Sequence, residues 1–281
     1  MSNRIPLAIC YDFDGTLAPG NMQERNFIPK IGMTKSSFWQ EVKDLAKKHE
    51  ADEILTYMWL MLKKADAARV PVRCEDFEKY GARLKLFNGV ADWFDRINEY
   101  GETSGLDIFH YVISSGIREM VAGTPIAKFF RKIYSSGFCF DHNGVATWPA
   151  LALNYTTKTQ YLFRINKGAE DVHDNTTINK FVPQEDRPIP FSNIVYVGDG
   201  ETDVPCFRLV KELGGHSIAV YPPGPRKGEA KARSVQLFRD GRVNFVVPAD
   251  YRDQKALDLL VKAIMEKVTA ERHLRDTFTP R

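Results

Sequence analysis

Asp12 and Asp14 close the apolar run Leu7-Ala8-Ile9-Cys10-Tyr11 and stand just before Gly15 and Thr16. Alternate residues of a strand face the same way, so both carboxylates can enter one site, and Gly15 lets the backbone turn sharply above them. Carboxylates brought that close repel unless a cation lies between them. The arrangement returns at Ile194-Val195-Tyr196-Val197-Gly198-Asp199-Gly200-Glu201-Thr202-Asp203, where a second apolar run delivers carboxylates onto a glycine-rich turn. Between the two, Phe109 to Ile113 leads into Ser114-Ser115-Gly116. The Ser114 hydroxyl can donate to an anionic oxygen. The N–H groups of Ser115 and Gly116, expected at the start of a helix, add donors where negative charge builds up. A helix N-cap at Ser114 or Ser115 is compatible with that role.

Asp12-Phe13-Asp14-Gly15-Thr16-Leu17 resembles the opening motif of the haloacid dehalogenase-like superfamily, most of whose members are magnesium-dependent phosphatases acting through an aspartyl-phosphate. Ser114 after its apolar strand resembles the second motif, and Gly198-Asp199-Gly200-Glu201-Thr202-Asp203 the last. The third motif is a lysine with little surrounding signature. Lys158, opening a helix that runs through Tyr161, Leu162 and Ile165, occupies the usual family position; Lys167, beside Gly168 at the helix end, is the second candidate. The resemblance implies that Asp12 attacks phosphorus while Mg²⁺ is held by Asp12, the backbone carbonyl of Asp14 and Asp199. Asp203 then orients the metal's water shell or holds Lys158. Asp14 protonates the leaving oxygen and afterwards activates water. Ser114 and Lys158, with the amides of Ser115 and Gly116, bind the phosphate.

Asp14 distinguishes branches of that superfamily, because a dehalogenase expels halide without a proton donor there. Phosphomutases keep it, so phosphoryl transfer to a second substrate stands as an alternative to hydrolysis, as does a non-catalytic module that binds a phosphorylated ligand. By layout the chain resembles the phosphoserine phosphatase branch, whose members carry a glutamate nine positions after the nucleophile; that place is Asn21 here. Glu24 and Arg25 of the same flap are the candidates to replace it, and the departure puts phosphoserine itself in doubt.

These residues need elements to position them. Helical spacing of Phe38, Val42, Leu45, Ile54, Tyr57, Leu60 and Met61 predicts helices from Thr34 to Ala68, and one more is expected over 75–87. After Asn88 a helix starts near Gly89, and Phe138 to Trp148 reads as a β-hairpin whose Asn143-Gly144 suits the positive φ of a tight turn. Strands are expected at Ser217 to Tyr221 and Val243 to Val247, and a closing helix from Gln254 to Glu271. The alternation implies an α/β fold with a doubly wound parallel sheet. Residues 1–17 and 88–281 form its core, and 18–87 form a flap and helical cap inserted after the first strand.

Composition sets the outer bounds. With 281 residues and 43% apolar content the chain can bury one large core plus an insertion. Four cysteines without a CxxC pair read as free cytosolic thiols. Six dispersed histidines offer no zinc-ligand pair, and no P-loop occurs. The net charge of +3, and a basic segment at 226–233 lacking interleaved aromatics, argue against a nucleic-acid partner. No N-terminal signal or membrane-length apolar run is visible, so a soluble cytoplasmic protein is expected, its oligomeric state open, while the resemblance of its helical insertion to the superfamily's cap implies an enzyme acting on a small phosphorylated metabolite.

Overall fold

The structure, a computed structural model, describes residues 4–224 and 228–278; Arg226 and Lys227 of the basic segment lie outside them. Along the chain run β1 (Ile5–Tyr11), α1 (Gln23–Asn26), α2 (Lys35–His49), α3 (Glu53–Ala68), α4 (Cys74–Gly81), α5 (Val90–Thr103), β2 (Leu106–Ile117), α6 (Arg118–Ala122), β3 (Phe130–Phe140) and β4 (Ala146–Leu151). Then follow α7 (Lys158–Lys167), α8 (Asn175–Asn179), β5 (Ile194–Gly198), α9 (Val204–Glu212), β6 (His216–Tyr221), α10 (Gly228–Arg239), β7 (Phe245–Pro248) and α11 (Ala256–Phe278). The seven strands form one sheet in the order β4-β3-β2-β1-β5-β6-β7, parallel except for the β3–β4 hairpin. No helix among the described residues is long and apolar enough to cross a membrane.

Strands of a parallel sheet are covered on both faces and therefore read as continuous apolar runs. In β1, Leu7, Ile9 and Tyr11 pack on the side of α5 and α11, against Trp93, Phe94, Ile97, Val261 and Met265. Ala8 and Cys10 face Tyr161, Leu162 and Ile165 of α7 and Phe207 and Val210 of α9. The chain winds outward from β1 through β2 to β4, then returns to pair β5 on the other side of β1. That reversal opens a crevice at the C-terminal end of β1, the place where doubly wound sheets hold ligands. Register brings three strand ends there together, since Tyr11 pairs with both Val112 of β2 and Val197 of β5.

Helices α1 to α4 lie between β1 and β2. Thr34 and Ser37 form a capping box at α2, and Asp52 caps α3 by accepting from the N–H groups of Ile54 and Leu55 at 2.9 and 3.0 Å. The other Asp52 oxygen accepts from Asn154 Nδ2 at 2.8 Å, tying the insertion to the segment just before α7. Two local expectations change. The helix expected over 75–87 stops at Gly81, because the chain must turn back for the Phe87 N–H to bond the Leu17 carbonyl at 2.9 Å. A Cβ on Gly81 would meet the Met120 carbonyl oxygen at 1.8 Å, so glycine lets α4 lie backbone-close to α6. In the hairpin only Gly144 takes positive φ; Asn143 does not, because Asp141 Oδ1 gathers the N–H groups of Asn143 and Val145, both at 2.9 Å. The outer strands both carry proline, Pro149 in β4 and Pro248 at the end of β7.

Beneath the sheet's centre, Trp93 Nε1–H donates to the Tyr11 hydroxyl at 2.8 Å, that hydroxyl donates to His110 Nδ1 at 3.1 Å, and His110 Nε2–H donates to Asn98 Oδ1 at 3.0 Å. With the ring proton on Nε2 each donor meets one acceptor, and His110 is neutral in this arrangement. Burial lowers its pKa to about 3. In the unfolded chain the same ring takes a proton near pH 6.5, so below that value unfolding gains a proton and stability falls. We expect urea unfolding between pH 6 and 4 to show a slope steeper by up to about 1.4 kcal/mol per pH unit than in His110→Phe. Equal slopes would mean that His110 is already protonated in the fold.

Candidate active site

Asp12 follows β1, and its own N–H bonds the Val197 carbonyl of β5 at 2.9 Å, so the carboxylate is fixed where the sheet divides. Its Oδ1 accepts from the Phe13 N–H at 2.8 Å, and its Oδ2 lies 3.2 Å from Lys158 Nζ. The Ser114 hydroxyl, beside the same carboxylate, favours its charged form and accepts from the Gly116 N–H at 3.2 Å. Lys158 is the first residue of α7 and is buried; its ammonium donates to Asp203 Oδ1 at 2.8 Å. Asp203, fully buried, also accepts from the Tyr196 hydroxyl at 2.7 Å and from the Asp199 N–H at 3.1 Å. Asp14 Oδ1 accepts from the Met22 N–H at 3.0 Å, which folds the segment after β1 back over the site.

Four carboxylates share this crevice, and among the described residues Lys158 supplies their only ion pairs. Burial, with Asp203 adding repulsion and Lys158 pulling the other way, leaves the Asp12 carboxyl at about 6. Burial and repulsion from Asp203 and Asp12 push Asp199 up to about 8. Asp14 lies well above the usual carboxylate range, through burial and the neighbouring Asp12 charge, although the Met22 N–H opposes this. Burial works against the charge on Lys158 as well, but Asp12 and Asp203 outweigh it and hold the lysine above its ordinary value. The two partners differ because Lys158 faces two carboxylates, whereas Asp12 faces one ammonium and several carboxylates.

Such a cluster fits a hard cation. Oxygens of Asp12, Asp199 and Asp203 all lie within 4.8 Å of one another, and an all-oxygen donor set suits Mg²⁺ and not zinc. Asp203 is fully buried and spends its oxygens on Lys158, Tyr196 and the Asp199 amide; Asp199 is partly exposed and stands beside Asp12, whose oxygens also meet the Phe13 N–H and Lys158. Gly15 makes room for this: its φ is +75°, and a Cβ there would lie 2.0 Å from Asp199 Oδ2. Gly15→Ala should therefore weaken Mg²⁺ binding by about 10–100-fold, a loss typical of disturbing the support of a metal ligand. Calorimetric titration with Mg²⁺ checks this, and unchanged affinity would show that Asp199 is not a ligand.

The remaining candidate residues fall in different places. Ser115 and Gly116 do not start a helix: β2 continues to Ile117, slips register against β3 after Ser114, and α6 begins at Arg118 with Ile117 at its N-cap. The backbone stays extended because the Ser115 carbonyl accepts from the Tyr57 hydroxyl and the Gly116 carbonyl from the Ser135 hydroxyl, each at 2.6 Å. Lys167 is remote from the carboxylates and donates to the carbonyls of Ile178 and Lys180 at 2.8 and 3.0 Å, pinning the chain beyond α7. Asn21 donates to Glu24 Oε1 at 3.2 Å, and the same oxygen accepts from Trp39 Nε1 at 3.0 Å, so Glu24 braces α1 against α2. Arg25 is exposed. Gln23, Met22 and Tyr196 are not among the site residues expected from the sequence; of these Tyr196, lying in the strand before Asp199, stands where proximity could have found it.

No protein-family model matches the chain. An uncharacterized protein of Borreliella burgdorferi is 29% identical over 289 residues, covering 93% of this chain and 96% of that one. Among solved structures, a HAD family hydrolase of Salmonella enterica serovar Typhi superposes with a TM-score of 0.58 at 14% identity, over 92% of this chain and 72% of that one. A substrate-bound phosphoserine phosphatase gives 0.55 at 16% identity, over 93% and 99% of the two chains. The chain has the haloacid dehalogenase-like fold. Phosphoserine phosphatase in a phospho-aspartyl intermediate analogue form shares that fold too, with a TM-score of 0.52 at 14% identity over 92% of this chain and 99% of that one.

Proposed function

We propose that this haloacid dehalogenase-like chain is a Mg²⁺-dependent phosphatase that hydrolyses a small phosphomonoester through an aspartyl-phosphate on Asp12. The observation that carries the reading is the setting of Asp12, a carboxylate at the strand switch point with Ser114 and Lys158 on it and Asp14 and Asp199 beside it. An Asp12 oxygen attacks phosphorus, and the bond from phosphorus to the alcohol oxygen breaks. Asp14, its pKa raised by burial and by the charge of Asp12, gives its proton to that leaving oxygen. The Asp14 carboxylate so formed then takes a proton from the water that attacks the aspartyl-phosphate, releasing phosphate and restoring Asp12. The Ser114 hydroxyl and Lys158 ammonium meet the equatorial oxygens, where preorganised donors act on charge as it develops. Mg²⁺, held by Asp12, Asp199 and the Asp14 carbonyl, would supply charge neutralisation to the phosphoryl group. In this reading residues 18–87 act as flap and cap over a core formed by 1–17 and 88–281.

Phosphate release from an aryl phosphate, followed with Mg²⁺, after chelation and after Mg²⁺ is restored, tests the proposal. Release should stop with chelator and return with metal. Release that continues unchanged in chelator would overturn the metal-dependent reading.

A further inference from the structure

Lys158 opens α7, and the turn that leads into it is built around one side chain. Asn154 Oδ1 accepts from the N–H groups of Thr156 and Thr157 at 3.1 and 2.9 Å and from the Thr156 hydroxyl at 2.8 Å. The Asn154 N–H donates to Thr157 Oγ1 at 2.9 Å, and the Asn154 carbonyl accepts from the Lys158 N–H at 3.0 Å. Its side-chain oxygen is spent on this turn, so the amide has only its NH₂ to direct outward. That group donates to Asp52 Oδ2 at 2.8 Å, joining residues 102 positions apart. Asp52 is divided in the same way: Oδ1 caps α3 by accepting from the Ile54 and Leu55 N–H groups, and Oδ2 is left for Asn154. Two helix starts are thus joined through their own capping side chains, and one of them carries Lys158.

Further along α3, the Tyr57 hydroxyl donates to the Ser115 carbonyl at 2.6 Å. The same helix therefore grips both the strand that presents Ser114 and the turn that presents Lys158. Lys158 works within narrow limits, its ammonium 3.2 Å from Asp12 and 2.8 Å from Asp203. A misplacement of about 1 Å at such a group can cost about 10²-fold in rate. We propose, resting on the phosphatase reading, that Asn154 and Asp52 are positioning residues whose mutual hydrogen bond fixes the start of α7 against α3, so that the reach of Lys158 to the phosphoryl oxygens is set by where α3 sits. Both act through Lys158: Asn154 holds its backbone N–H directly, and Asp52 holds Asn154.

Exchanging the two residues tests this, because aspartate and asparagine cap helices about equally well. Asp52→Asn keeps the cap of α3 but sets two NH₂ groups against each other. Asn154→Asp keeps the turn before Lys158 but sets two carboxylates against each other. With both substitutions together the bond returns, its direction reversed. Calorimetry with inorganic phosphate in the presence of Mg²⁺, on protein shown to be folded by urea unfolding, should find each single variant binding about tenfold or more weakly. The double variant should bind within about threefold of the unmodified protein, and aryl phosphate release should follow the same order. Asp52→Asn introduces no charge, so it reports even where Asn154→Asp fails to fold. Phosphate affinity unchanged in the single variants would overturn the positioning role even if their urea midpoints fall, since a bond that only stabilises the fold leaves the folded site as it was. A double variant as weak as the weaker single one would overturn it too, because the loss then belongs to one side chain and not to the bond. Affinities in the expected order without phosphate release would count against the reaction alone. Unmodified protein that binds no phosphate would remove Lys158 from the donor's place and overturn both.

Discussion

Asp12→Asn should release phosphate from an aryl phosphate at least about 10³-fold more slowly than the unmodified protein, since loss of a covalent nucleophile removes the step on which the other groups act. The amide keeps the size of the carboxylate, and its one oxygen can still accept from the Phe13 N–H, while the position that faced Lys158 becomes an NH₂ that accepts nothing. Lys158 retains Asp203 at 2.8 Å. Folding should therefore survive, and in metal-free protein at pH 7 it should improve. Burial raises the Asp12 carboxyl to about 6, so above that pH the folded protein carries a buried charge that the unfolded chain keeps in water, and the amide removes this penalty. The expected pair of results is a lost rate with an equal or higher thermal midpoint in chelator. A rate within tenfold of the original would remove Asp12 from the nucleophile's place.

Lys158→Met has the opposite character, with loss of both rate and stability. The ammonium lies between Asp12 and Asp203 in a buried site, and its removal leaves two carboxylates facing each other without a cation. Breaking a buried pair in this way costs about 3–5 kcal/mol, because an uncompensated charge stays behind. Rate should fall roughly 10²–10³-fold or more through the missing donor to the phosphoryl oxygens. Adding Asp203→Asn to Lys158→Met separates the two effects. The double variant should recover part of the stability in urea unfolding, because one stranded charge is gone, while its rate stays low. If the double variant is as unstable as the sum of the single ones, the ammonium and Asp203 are not energetically coupled.

The parts of this site that could be read in the sequence are those made by a strand and the turn directly after it. β1 with Asp12 and Asp14, and β5 with Asp199 and Asp203, are each specified within about ten residues, by an apolar run ended by glycine and carboxylates. Lys158 was legible for a related reason, standing first in a helix that Gly168 closes in the left-handed conformation. Ser114 was legible as a residue but not in its local structure: what keeps β2 extended past it comes from Tyr57 and Ser135, 58 residues before Ser115 and 19 after Gly116. Gln23 and Met22 carry no signal of their own, since an amide and a thioether in a turn-rich flap read equally well as surface or core, and the helical spacing that marks Tyr57 as buried does not show where its hydroxyl goes. Their role appears only when the segment after β1 folds back over Asp14. The turn at Asn143-Gly144 misled for a smaller reason, because the Asp141 side chain supplies the acceptor that selects its geometry.

The prolines at the two rims of the sheet bear on how copies of the chain behave toward one another. An outer strand normally offers a row of free N–H and C=O groups on which another chain can add a strand, the first step toward fibrous association. Here β4 carries Pro149 in its middle, and a proline in such a strand turns its hydrogen-free nitrogen away from the neighbour. At the opposite rim β7 has four residues and ends at Pro248. A row so short, or so interrupted, gives an incoming strand little to pair with, which protects a wide parallel sheet during the interval when its covering helices have not yet docked.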